Sequence, residues 1–171
     1  FGEYVPLRKL FFFVDKITTF PSDDMVAGTS FEPFNLGNHK ISMLICYEDI
    51  FPDISRREVL NGSEILVNLT NDAWYGLSSA AYQHLALAIF RAVENRRYLI
   101  RSTNTGVSAI ITATGNVVAS TGLFEQAILV NQIPFMNDKT LYTRLGDWFA
   151  WGMSLYLLIA IIAVMYRKIR K

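Results

Sequence analysis

The sequence predicts an α/β fold, a sheet layered with helices, followed by a single membrane-spanning helix. Three observations predict it. Short apolar runs suited to buried strands alternate with stretches of helical spacing. Hairpin signals follow in the second half of the chain. An uncharged stretch, Trp148 to Tyr166, then closes the sequence ahead of a basic tail.

The elements are expected as follows. After the turn Pro21-Ser22-Asp23-Asp24, Val26–Phe34 reads as a strand. Ile41–Cys46 (ISMLIC) is a continuous apolar run, as in a strand covered on both faces. Pro52 opens a helix that Asn61-Gly62 stops. Glu64–Leu69 (EILVNL) is a second buried strand. Ser78 or Ser79 caps a longer helix running to about Arg96, with Leu85, Ala88, Ile89, Ala92 and Val93 at helical spacing. Tyr98–Ser102, Val107–Thr112, Asn116–Ser120 and Ala127–Ile133 read as four further strands, with turns at Gly106 and at Thr114-Gly115-Asn116. This divides the chain into a domain over 1–134, a linker over 135–147, a membrane helix over 148–166 and a basic tail over 167–171. In the linker, Tyr142 and Arg144 are expected at the headgroup level, as is Trp148 at the start of the helix.

The stretch Trp148–Tyr166 spans roughly 28 Å as a helix, close to the hydrocarbon thickness of a bilayer. Trp148 and Trp151 stand at one end and Tyr166 at the other, where interfacial aromatics belong. The stretch has no polar face, which argues against a helix lying in the interface. Arg167, Lys168, Arg170 and Lys171 follow, so the C-terminus is expected on the cytoplasmic side and the domain outside.

The net charge of +1 gives no pull toward nucleic acid. Cys46 is the single cysteine, so no disulfide forms within the chain, and the histidines are His39 and His84 alone. No zinc cluster, phosphate loop or serine-triad motif is present, and no metal or organic cofactor is expected. The opening residues lack an initiator Met and the features of a signal peptide, so the chain is expected to begin within a longer polypeptide.

Cys46 ends a buried strand, and a helix follows shortly after Tyr47-Glu48-Asp49. Such a junction lies at the carboxyl edge of the sheet, where α/β folds place their ligands. It leaves backbone N–H groups to bind an oxyanion. A cysteine is also a small apolar residue at home in a core, and spacing alone does not choose between the two. Glu48, two residues on, shares a face with Cys46 if the chain stays extended. Asn71-Asp72-Ala73-Trp74 follows the next buried strand and reaches the same edge. Asn71 and Asp72 suit local loop hydrogen bonds, and an ordinary turn accounts for them equally well. Trp74 and Tyr75 suit the wall of a lipid-facing pocket. His84 reads as a core or surface histidine rather than a base.

Taken together, FGEYVPL at 1–7, ICYE at 45–48, NDAWYG at 71–76, Gln83-His84, RAVENRR at 91–97 and RSTNTG at 101–106 resemble the apolipoprotein N-acyltransferases, a branch of the nitrilase (carbon-nitrogen hydrolase) superfamily. The order and spacing match across essentially the whole chain. The resemblance implies a nitrilase-type αββα sandwich of which this chain holds the C-terminal part. It implies a Glu-Lys-Cys triad in the inner membrane of a bacterium, with the domain on the periplasmic side. Cys46 would be the nucleophile, and the backbone N–H of Tyr47 would bind the oxyanion. Glu48 and Glu3 would be supporting acids. Trp74, with Asn71 and Tyr75, would bind substrate. The acyl donor would be a phospholipid, the intermediate a thioester, and the acceptor the α-amine of a diacylglyceryl-modified apolipoprotein. The full-length protein would act as a monomer.

The chain departs from the family pattern in one respect. The triad Glu and Lys lie ahead of GEYVP and have no counterpart here, because Lys9 and Lys16 are not at the matching position. The segment alone is therefore expected to be inactive. Two other readings stay open on sequence: a membrane-tethered amidase, and a non-catalytic remnant that binds lipoproteins.

Overall fold

The structure is a computed structural model that describes residues 28–170. The chain divides into two compact units, Phe1–Ser30 and Phe31–Lys171, and every element below belongs to the second. Six strands form one sheet: β1 (Phe34–Leu36), β2 (His39–Ile45), β3 (Ile65–Thr70), β4 (Tyr98–Thr103), β5 (Ala109–Ile111) and β6 (Val117–Ser120), in that spatial order. β2, β3 and β4 run parallel, and the outer pairs are antiparallel. The parallel crossovers are the helices α1 (Pro52–Leu60) and α2 (Ala80–Asn95). α3 (Leu141–Leu145) and the long α4 (Trp148–Ile169) complete the chain.

Both crossover helices start where the sequence marks them. Pro52 occupies the first turn of α1, where its missing N–H costs nothing. The Ser78 hydroxyl accepts from the Ala80 N–H at the start of α2. Arg96 ends α2 in the left-handed conformation. The stripe of α2 facing inward comprises Ala81, His84, Ala88, Arg91, Ala92 and Asn95. It is part apolar and part polar, whereas the apolar spacing had pointed to Val93, which is 45% exposed.

The core lies between these helices and one face of the sheet. Leu44, Leu66, Leu99, Ala109 and Ile111 meet Val59, Ala88 and Ala92 there. The parallel register stacks residues in rows across the sheet. Ser42, Leu66 and Leu99 form one row, and Leu44, Asn68 and Arg101 the next, one step nearer the carboxyl ends. The buried layer thus turns polar toward the rim that carries Cys46. The opposite face is partly open: Ile45 and Leu69 are 50% and 40% exposed. The expectation that ISMLIC is covered on both faces therefore fails within the described residues.

Among the described residues, two expected strands are not formed as placed. The strand placed at Val26–Phe34 begins at its last residue. Residues 28–33 adopt no strand, and the part before 28 lies outside the described residues. Pairing is decided by the tight turn at Gly37, whose φ of 60° folds Phe34–Leu36 back onto His39–Ile41. Pro33 also lacks the donor that a longer ladder needs. Ala127–Ile133 alternates like a strand but has no ladder partner among the described residues, and Ile128 and Val130 are 89% and 87% exposed.

The linker after the sheet is docked rather than loose. Lys139 Nζ donates to Leu60 O at the end of α1 (2.8 Å), and the buried Arg97 donates to Asp138 O (2.6 Å) and Ser63 O (2.7 Å). Thr140 caps α3, accepting from Thr143 N. Thr143 then bonds Asn95, and Asn95 bonds Ser55, so a buried polar column joins α3, α2 and α1. α4 departs from this anchor point. Its window Trp148–Lys168 has a mean hydropathy of 2.0 and no buried residues, so it is long and apolar enough to cross a membrane.

Candidate active site

Cys46 stands where β2 gives way to a single 3-10 turn, Cys46–Ile50. Its φ of 50° lies in the left-handed region, sparsely occupied by non-glycine residues. The side chain is half-buried, at the rim of the sheet and not sealed inside it. The strained corner is held from several sides. Asn68 Nδ2, from β3, donates to Leu44 O (3.2 Å) and Cys46 O (3.0 Å). The Glu48 carboxylate accepts from Ile45 N at 2.7 Å. Arg91 Nη1, from α2, donates to Ile50 O at 2.9 Å.

The 3-10 turn redirects Glu48. Rather than sharing a strand face with Cys46, its carboxylate folds back onto the backbone before the cysteine. Glu58 on α1 lies near enough to feel that charge. Burial first, with the Glu48 charge adding to it, pushes its carboxyl up to about 7.

Thr70, the last residue of β3, places its hydroxyl 3.3 Å from Cys46 Sγ. Next to it begins a fully buried cluster of charge. Asp49 and Asp72 are each bridged by His84 and by Arg101, over 2.6–3.0 Å. Burial disfavours a charged His84. The hydrogen bonds with Asp49 and Asp72 outweigh both that and the opposing Arg101, and push its pKa up to about 9. Burial likewise disfavours the Asp72 carboxylate, yet His84 and Arg101 hold it below the usual range.

The remaining expected residues divide. Asn71 Oδ1 accepts from Ala73 N (3.0 Å) and from Asn104 Nδ2 (2.7 Å), so it ties two loops at the rim together. Tyr47 and Tyr75 flank His84, with ring centroids 5.3 and 6.0 Å away. With Ala80, Gln83 and Leu87 they line a cleft of about 100 Å³ beside the cysteine turn. Burial first, then neighbouring Tyr47, pushes the Tyr75 hydroxyl up to about 12. Trp74 is 76% exposed on the outer side of its turn. Glu3 lies outside the described residues.

Sequence reasoning missed Thr70, Asp49 and Arg101 and undervalued Asp72 and His84. The signal was available in part: Asn68 and Arg101 are polar residues set inside otherwise apolar strand runs. A buried polar group needs a partner.

Comparison with known proteins follows the same lines. The carbon-nitrogen hydrolase family model matches residues 7–137. The chain is 45% identical over 152 residues to an apolipoprotein N-acyltransferase of Geobacter metallireducens, covering 89% of this chain and 29% of that protein. It is 42% identical over 154 residues to the enzyme of the same name in Methylococcus capsulatus, covering 90% and 30%. It thus spans less than a third of the length of these relatives. Among solved structures, a carbon-nitrogen hydrolase from Helicobacter pylori shares the fold with a TM-score of 0.54 at 19% identity, over 60% of this chain and 43% of that one. An amidase from Nesterenkonia shares it at 0.50 and 22%, over 61% and 44%. With the family model covering most of its length and the nitrilase fold in its sheet and helices, the chain belongs to the carbon-nitrogen hydrolase family.

Proposed function

We propose that this chain carries the nucleophile of a phospholipid:apolipoprotein N-acyltransferase, with Cys46 forming the acyl thioester. The observation that carries the reading is a half-buried thiol on a strained corner at the carboxyl rim of a parallel sheet, in a chain that continues into a helix suited to a bilayer. The relatives that cover most of the chain bear the name of that activity.

The Cys46 thiolate attacks the carbonyl carbon of a phospholipid ester. The electron pair moves to the carbonyl oxygen, which the backbone N–H of Tyr47 stabilises, since the first N–H groups of a helical turn have no partner within it. Collapse of the intermediate breaks the ester C–O bond, and the departing lysophospholipid oxygen takes the proton that the Cys46 thiol had given to the triad Glu implied by the resemblance. The thioester remains on Cys46. The α-amine of a diacylglyceryl-modified apolipoprotein then attacks it. The C–S bond breaks, the thiolate is restored, and the amine gives up a proton as the amide forms. Glu48 holds the corner by its bond to Ile45 N, and Glu3 is a second supporting acid. Trp74, Asn71 and Tyr75 form the rim that receives the acyl chains. The reaction belongs on the periplasmic face of the inner membrane, where α4 keeps the rim close to lipid and raises the effective concentration of the donor.

The test uses the protein expressed from its own gene in membranes supplied with phospholipid carrying a labelled acyl chain. Label is expected on the Cys46 peptide as a hydroxylamine-sensitive adduct that an apolipoprotein acceptor discharges. Cys46→Ser is expected to abolish that adduct. Acylation of the acceptor at an undiminished rate in Cys46→Ser would overturn the assignment.

A further inference from the structure

Among the described residues, Thr70 is the side chain that hydrogen-bonds Cys46 Sγ, and its hydroxyl has a second acceptor within reach. Oγ1 lies 3.3 Å from Sγ and 3.2 Å from Asp72 Oδ1. A hydroxyl owns one proton. It serves the sulfur or the carboxylate at any moment, and the choice depends on what else Asp72 receives.

Asp72 is well supplied. Its Oδ1 faces His84 Nδ1 at 2.9 Å, and its Oδ2 faces Arg101 Nη2 at 3.0 Å. The far side of the same ring is closed by Asp49, with His84 Nε2 at 2.8 Å from Oδ1 and Arg101 Nη1 at 2.6 Å from Oδ2. Two carboxylates alternate with two cationic donors, all of them buried. Both ring nitrogens of His84 face carboxylate oxygens, and only the imidazolium donates through both. Arg101 Nη2 also lies 2.9 Å from His84 Nδ1. A neutral ring accepting there would turn a lone pair toward Asp72 Oδ1, and that oxygen would then draw the Thr70 proton. Among the described residues, Tyr47 and Tyr75 are the other titratable groups against the ring.

We propose that His84 and Arg101 are positioning residues for the nucleophile: by saturating Asp72 they release the Thr70 hydroxyl proton to the Cys46 sulfur, where it stabilises the thiolate. Asp49 completes the arrangement by tying the same two cations to the turn that carries Cys46. The inference rests on Cys46 being the nucleophile. Thr70 touches the reacting atom, whereas His84 acts on it through Asp72 and Thr70.

The measurement is the pH dependence of Cys46 alkylation by iodoacetamide, read by mass spectrometry of the Cys46 peptide in the membrane-embedded protein expressed from its own gene. Thr70→Val keeps the shape of the side chain and removes the hydroxyl. It is expected to move the profile to higher pH and slow alkylation about tenfold at pH 7, and Thr70→Ser is expected to restore it. His84→Gln is expected to move the profile the same way, and the double variant no further than Thr70→Val alone. An unshifted profile in Thr70→Val overturns the proposal without any appeal to His84, so a misfolded His84→Gln does not shelter it. Full additivity of the two substitutions also overturns it, since His84 would then act by another route. Alkylation needs no acyl transfer, so these outcomes stand apart from the fate of the Cys46→Ser adduct.

Discussion

A Cβ on Gly106 would fall onto the Asp72 carboxylate, side chain against side chain, inside the buried charge cluster. Glycine is therefore required there by space and not by backbone angle. Gly106→Ala is expected to push Asp72 away from Arg101 and His84 and strand charge in the interior. Breaking a buried pair in this way costs about 3 kcal/mol. The melting temperature in detergent should fall by several degrees and Cys46 alkylation should slow. Gly28→Ala, where nothing lies within 4 Å of the new carbon, serves as the control and should change neither. The position of Cys46 at the rim was legible, because a cysteine ending an apolar run and followed by a helix start has a restricted place in such a sheet. Its support was not. Asp49 and Arg101 lie 52 positions apart and meet only because β2, β3 and β4 set Leu44, Asn68 and Arg101 in one row. No local periodicity carries that information.

Among the elements, α1 brings Glu58 into the range of Glu48, and stability should record it. The Glu58 carboxyl is pushed up to about 7 by burial, then by the Glu48 charge, from an ordinary 4.5. Between those values the folded chain keeps a proton that the unfolded chain has released. Stability therefore falls as pH rises through that window and does not return above it. His84 acts at higher pH. Its pKa is raised from 6.5 to about 9 because the bonds to Asp49 and Asp72 outweigh burial, so its contribution is complete below 6.5 and lost as pH passes 9. Glu58→Gln is expected to flatten the first decline and leave the second. Melting temperatures taken from pH 4.5 to 9.5 would show this, and a Glu58→Gln curve parallel to wild type below pH 7 would refute it. The elements themselves were legible where period and punctuation agree, as in Pro52 opening α1 and Thr114-Gly115-Asn116 turning β5 into β6. They were illegible where a strand depends on a partner. Ala127–Ile133 alternates correctly and stays outside the sheet, because alternation describes a strand's faces and not the ladder that holds it.

At the scale of the whole molecule, the apolar helix α4 and the sheet with its covering helices are coupled through α3. Thr143 is buried between α1 and α2, with Arg56 Nη1 on its carbonyl at 3.3 Å, and α4 begins at Trp148, five residues later. With α4 in a bilayer, so short and so anchored a connection would hold the helical layer beside it rather than on a long tether. The side of the bilayer we propose rests on charge. Arg167, Lys168, Arg170 and Lys171 crowd one end of α4, while Lys139 and Arg144 precede the other in sequence, Lys139 being bonded to Leu60 O. On that basis we propose that the tail lies inside and the Cys46 rim outside, as retention of cationic ends in the cytoplasm would require. A tag fused after Lys171 should be protected when protease is added to spheroplasts and cleaved when inverted vesicles are treated. Replacing the four tail cations with Gln removes the bias and should yield a mixed population in which part of the tag becomes accessible from outside. Cleavage of the wild-type tag in spheroplasts would place the rim in the cytoplasm, away from periplasmic lipoproteins, and the acyl-transfer reading would fail with it.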